Sequence, residues 1–168
     1  MTVEDLMAHT EIQKALYRYC RGVDRGDARL ICSAYHEDAI DHHGPWTGTG
    51  PEFGPHIVAK MDLLPEAGQH HITNILIELD GESARVESYF LVLQPTMDNG
   101  HFWLSGRYLD LFECRNGAWK IADRTVVQDV SKGTTDKAWP GMSGYPIGGR
   151  RQDDPSAGWF QTAARGER

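Results

Sequence analysis

Basic charge is what this 168-residue chain has least of: 17 Lys and Arg stand against 24 Asp and Glu, a formal net charge of −7. Nucleic-acid binding rests on clustered Lys and Arg that displace counterions from phosphates, so no nucleic-acid partner is expected. The one basic doublet, Arg150–Arg151, falls in a Gly/Pro-rich tail. Cysteine is scarce as well. Cys20, Cys32 and Cys114 are odd in number, far apart and without CxxC spacing. That is the pattern of reduced thiols in a cytoplasmic protein, not of a disulfide framework or a zinc site. No apolar run approaches membrane-spanning length, and MTVEDLMAHT has no basic region followed by an apolar stretch; neither a membrane span nor a signal peptide is expected. GxGxxG, the P-loop, GxSxG, HxH and HExxH are all missing. Nucleotide binding, an elbow nucleophile and a spaced zinc site therefore lack their signatures. These absences leave a soluble, cytoplasmic protein acting on a small ligand, with no cofactor and no metal expected.

The chain is long enough to bury a core as one domain, and five Trp, six Tyr and five Phe supply bulk. Residues 5–24 read as a helix with Ile12, Leu16, Tyr19, Cys20 and Val23 on one arc. Gly26 is its expected break and Asp27 the cap of a second helix over 28–36. A short strand and turn follow over 37–50, then a third helix over 54–64 that ends before Pro65. From residue 70 the period changes to two, giving strands over 71–79, 84–94, 101–114 and 118–128. Asn116–Gly117 is a strong hairpin signal between the last two. Helices followed by a run of strands mean α+β: a cone-shaped barrel in which a curved antiparallel (mixed) sheet wraps two or three N-terminal helices. The domain is expected over 1–130, with 131–168 a Gly/Pro-rich tail packing on it or on a partner subunit. Tyr89, Leu91 and Leu93, beside Arg85 and Glu87, make one strand face too apolar for a lone solvated sheet. A homodimer or homotrimer is expected.

Two groups of residues can carry chemistry. Asp24 lies at the edge of the apolar arc of the first helix, either solvated at the helix end or aimed into the mouth of the cone. Eight histidines include the adjacent pairs His42–His43 and His70–His71. Neighbours on a strand face opposite ways, so only one of each pair can look inward. An inward histidine becomes a proton-transfer candidate when a carboxylate orients one ring nitrogen and leaves the other to a substrate. Alternation continued back from Ile75 and Ile77 favours His71 as the inward one.

The run IQKALYRYCRGVDRGD, with YHEDAIDHHG, QHHITN, ARVESYF and GRYLDLFECRNGAWKIADR, resembles the SnoaL-like branch of the nuclear transport factor 2-like superfamily over about residues 8–128. Within it the chain is similar to the scytalone dehydratase and hexachlorocyclohexane dehydrochlorinase group. The resemblance implies a cofactor-free lyase of cone fold with an Asp–His dyad. "GVD" places Asp24 at the dyad carboxylate and "QH" places His70 at the base, which requires a bulge near Thr73–Asn74. It implies that His42 stands where relatives carry a pocket tyrosine, Phe90 where they carry a second pocket histidine, and Tyr19 and Tyr108 at pocket positions. Trp46 and Trp103 complete the expected aromatic wall. Arg124 either reaches the pocket from the last strand or faces outward as a strand charge. The implied activity is elimination from a small cyclic or aromatic hydrophobic substrate. Double-bond or keto–enol isomerisation by the same base, or hydrophobic-ligand binding without catalysis, are the alternatives.

Overall fold

The structure is a computed structural model that describes residues 1–64, 67–98, 100–133, 144–146 and 155. Helix α1 (Val3–Arg25) opens on a capping box, in which the Thr2 side chain accepts from the Asp5 amide and the Asp5 carboxylate accepts from the Thr2 amide. Two amides that a helix start leaves unpaired are thereby satisfied. The helix closes where Gly26 turns left-handed at φ 65°. Ala8, Ile12, Ala15, Leu16, Tyr19, Cys20 and Val23 are buried along one stripe. That burial, at about 25 cal/mol per Å² of apolar surface, holds the helix more firmly than its propensity does.

Helix α2 (Ala28–Cys32) starts on Asp27, whose carboxylate accepts from the Leu30 amide at 3.0 Å. It is shorter than expected, because Tyr35 already belongs to strand β1 (Tyr35–His43) and the Ala34 carbonyl accepts from the Ile121 amide of a distant strand. Long-range pairing overrides local helix preference here. Helix α3 (Gly50–Met61) begins four residues before the expected start, on a second capping box between Thr49 and Glu52. Pro55 lies inside it and has no amide for the Pro51 carbonyl four residues back. The Cys32 thiol donates to that oxygen at 3.3 Å.

β1, β2 (Trp46–Thr49), β3 (Gln69–Asp80), β4 (Ser83–Pro95), β5 (His101–Arg115) and β6 (Ala118–Gly133) form one sheet in the order β2–β1–β6–β5–β4–β3. Every neighbouring pair is antiparallel except β1–β6, which is parallel. The sheet curls around α1 into a cone without closing, and β2 and β3 are its free edges. Asn116–Gly117 makes the expected tight turn, with φ 53° and 77°. Curvature is concentrated at register slips such as the one between Ser105 and Gly106. A Cβ on Gly106 would stand 2.0 Å from the Val127 carbonyl oxygen and 2.7 Å from the Phe90 ring, so only glycine fits that bend.

Residues 131–133 of the expected tail are the end of β6. Gly144–Pro146 return to the domain: the Gln128 amide donates to the Pro146 carbonyl at 3.0 Å, and the Tyr145 ring approaches Gly44 closely. Apart from residue 155, the rest of the tail, Arg150–Arg151 included, lies outside the described residues. Among the described residues no helix is long and apolar enough to cross a membrane.

Candidate active site

The last turn of α1 meets the start of β3, and that junction brings Asp24 to His70. Both Asp24 oxygens accept from the His70 backbone amide, at 3.1 and 3.0 Å, and Oδ1 lies 2.5 Å from His70 Nδ1. Each side chain is 10 % exposed. A carboxylate accepts only, so the proton on the ring sits at Nδ1 and the lone pair at Nε2. Nε2 has no hydrogen-bond partner among the described residues.

His71 is exposed. The reason is a one-residue bulge: Ile72 pairs with Phe90 but Ile75 pairs with Ser88, so β3 advances three residues while β4 advances two. His70, Ile72, Ile75 and Ile77 all then share the inner side, which strict alternation forbids. The slip falls at Thr73–Asn74.

His70 borders an interior cavity of about 110 Å³. Its wall is largely aromatic and aliphatic: Tyr19, Phe90, Tyr108 and Tyr145 with Val23, Ile57, Met61, Leu104 and Val126. Phe90 stacks on Tyr108 at 4.6 Å and Tyr19 meets Tyr108 edge-on at 5.6 Å. Burial holds both the Tyr19 and Tyr108 phenols well above their usual range, so they are neutral hydroxyls at physiological pH. An open depression of about 410 Å³ adjoins the cavity and shares Val23, Met61 and Gln94 with it.

Four expected pocket residues are placed elsewhere. His42 is exposed, beside Thr47 Oγ1 at 3.4 Å, and it is His43 that lines the cavity. Along β1, Ala39, Asp41 and His43 face inward, so His42 faces out. Trp103 is 48 % exposed on the convex side of the sheet, because its neighbour Phe102 takes the inward position. Trp46 stacks on His56 and meets Phe53 at a tilt, outside the cavity wall. Arg124 is neither outward nor at the wall: it is fully buried. β5 places Asp110 directly across from it, and the two form a bidentate pair with both bonds at 2.7 Å. Its guanidinium lies over both the Tyr19 and Tyr108 rings, at 4.3 and 4.1 Å from their centroids.

From Arg124 a polar chain runs back to the cavity. Arg124 Nη1 donates to the Tyr35 hydroxyl at 3.4 Å, Tyr35 donates to Asp41 Oδ2 at 2.6 Å, and Asp41 Oδ1 lies 3.3 Å from His43 Nδ1. Sequence reasoning passed over Asp41 and His43. The signal was readable as an Asp-x-His step on one strand, since residues two apart share a face. Among the described residues no group of three or more His, Cys, Asp or Glu could hold a metal ion.

Residues 4–125 match the family described as the SnoaL-like domain. No curated protein sequence matches the chain. Solved structures that share its fold include the following three. A proposed scytalone dehydratase from Novosphingobium aromaticivorans is 22 % identical, with a TM-score of 0.76, covering 90 % of this chain and 100 % of that one. The hexachlorocyclohexane dehydrochlorinase LinA-type3 from Novosphingobium barchaimii is 20 % identical, with a TM-score of 0.72, covering 82 % and 97 %. A protein of unknown function from Mycobacterium tuberculosis is 26 % identical, with a TM-score of 0.67, covering 75 % and 74 %.

Proposed function

The chain belongs to the SnoaL-like domain family, within the nuclear transport factor 2-like superfamily, and on that premise we propose that it is a cofactor-independent lyase acting on a small cyclic or aromatic hydrophobic molecule. The observation that carries this reading is the Asp24–His70 pair set at the edge of an apolar cavity. Asp24 fixes the tautomer that leaves Nε2 free to accept a proton, and it stabilises the imidazolium that forms. His70 removes a proton from a carbon next to an activating group, and the electrons left behind expel a leaving group from the adjacent carbon. Phe90 and Tyr19 pack the ring of the substrate and keep water from the reacting carbon, while Tyr108 offers a neutral hydroxyl. Two structural neighbours, a proposed scytalone dehydratase and a dehydrochlorinase, support elimination.

Kinetics of two variants test it. Asp24→Asn and His70→Ala should each lose about 10²–10⁴-fold in kcat, and the double variant should be little worse than His70→Ala because the pair works as one unit. Product lighter than substrate by the expelled molecule supports elimination. Product of unchanged mass would make the protein an isomerase, and full activity in folded His70→Ala would leave the reaction without its base.

The same reading includes self-association. Tyr89, Trp103 and Val130 are 39, 48 and 54 % exposed on the convex face, and Leu91 lies with Trp103 and Val130 around one shallow groove. That face is apolar enough to pack against a second copy.

A further inference from the structure

β3 is an edge strand, and its open side follows a pattern that matches itself. The His70 amide points away from β4, because Asp24 accepts from it. Residues of an antiparallel strand alternate between bonding the neighbour and facing away from it. Ile72 therefore faces away as well and, beyond the bulge, so do Ile75, Ile77 and Leu79. Among the described residues the amides and carbonyls of these four have no partner. Proline and lysine, which commonly blunt such an edge, do not occur in Gln69–Asp80, and the bulge interrupts only its first half. On the regular half, Leu76 points to the convex side and is 49 % exposed. The two ends of the edge carry opposite charge. Arg21 and Arg25 line an open groove between α1 and the start of β3, together with Tyr17, Asp24, His70 and Ile72. Asp80 and Glu82 stand exposed at the far end.

We propose that this edge pairs with the same edge of a second copy, β3 antiparallel to β3, about a two-fold axis at Leu76. Three features meet in that register. Ile75 of one copy faces Ile77 of the partner subunit, so outward amides and carbonyls meet and exchange bonds. Leu76 faces Leu76 of the partner subunit as a non-hydrogen-bonded pair, with Cα atoms about 4.5 Å apart, and the two exposed side chains cover each other. An antiparallel two-fold also sets the end of one strand against the start of the other. Asp80 and Glu82 of the partner subunit then lie against the groove that Arg21 and Arg25 line. A parallel pairing would set acid against acid. Because the contact is isologous it uses the edge up, and association across it stops at two. The partner's β3–β4 turn covers the groove side of Asp24. This contact is separate from the convex-face packing described above, and it does not rest on the elimination reading.

The test uses the full chain carrying Trp103→Glu, which closes the convex face to a partner. In that background Leu76→Cys, oxidised with diamide at micromolar concentration, should run as a disulfide-linked dimer on a non-reducing gel. Asp80→Cys should stay a monomer on the same gel, because the two-fold holds its two copies about 27 Å apart at ~3.4 Å per residue. Cys20, Cys32 and Cys114 are present in both variants and cannot produce the difference. Arg21→Glu and Asp80→Lys should each weaken dimerisation by about tenfold or more in light scattering. Their equimolar mixture should restore it, since the mixed pair again sets opposite charges together. Arg21, Leu76 and Asp80 are all exposed, so these variants keep the fold. A monomeric Trp103→Glu protein, equal linking of the two cysteine variants, or a mixture no better than its components overturns the pairing. Each of these outcomes leaves the elimination reading to the kinetics of His70→Ala.

Discussion

At the mouth of the cone Asp24 holds His70 with each partner 10 % exposed, whereas in its depth Asp110 holds Arg124 with neither exposed. The outer pair keeps one nitrogen unpaired beside a cavity. The inner pair is saturated: Arg124 gives two bonds to Asp110 and one to Tyr35, and lies against the Tyr19 and Tyr108 rings. Burial makes the difference. A fully desolvated pair is bound to its partner too strongly to exchange protons and serves to fix the packing around it. A pair at the rim, with one free atom, can react. The lesson is that an acid beside a base marks a functional site only where an atom of the base is left over.

The contrast can be broken most forcefully from the inside. Arg124→Leu strands the Asp110 carboxylate in the core and should cost about 3–5 kcal/mol in denaturant unfolding. Replacing both Arg124 and Asp110 by leucine should recover part of that loss. If the single variant is as stable as the wild type, the inner pair has no structural role. Asp24→Asn should cost only about 1 kcal/mol by the same measurement, because it weakens a rim hydrogen bond and leaves no buried charge alone.

Acid titration of stability sharpens the comparison further. The folded Asp41 carboxyl is held below its ordinary range, so its contribution is fully present above the unfolded value of about 3.9 and is lost as pH falls through the folded one. The stability gap between wild type and Asp41→Asn should therefore narrow below about pH 4. A gap that stays constant down to the acid transition would remove the charge on Asp41 from the account.

Smaller effects belong to the outside of the cone. Trp103→Glu should shift the protein toward a smaller species in light scattering at micromolar concentration while kcat stays within about twofold, because a charge spoils an apolar interface but not the cavity. A wild-type monomer under those conditions would end the self-association reading. His42→Ala should change stability by less than about 0.5 kcal/mol, as surface substitutions do, and should leave activity in place. A large loss of activity there, without one in His43→Gln, would reverse the assignment of the two histidines.

Much of the architecture was legible in residue order. Gly26 and the arc from Ile12 to Val23 set α1, and Asn116–Gly117 set the last hairpin. The Thr49–Glu52 capping box was also there to be read, and it starts α3 ahead of the helix that periodicity alone suggests. Local chemistry decides such features, since caps and turns involve atoms within a few residues of each other. The resemblance placed Asp24 and His70 together, which periodicity did not: alternation alone favoured His71.

Composition and period by themselves determined an α+β chain with acidic charge, paired histidines and an aromatic store for one cavity. Only the tertiary structure decided which member of each histidine pair faces in, where α2 stops, and that Arg124 lies beneath the tyrosines. Strand facing has a period of two, so a single bulge at Thr73–Asn74 reverses the parity of everything before it. The parallel pairing of β1 with β6 recruits Tyr35 from an expected helix and sets Asp41 beside Arg124. These are outcomes of contacts between residues tens of positions apart, and no local pattern encodes them.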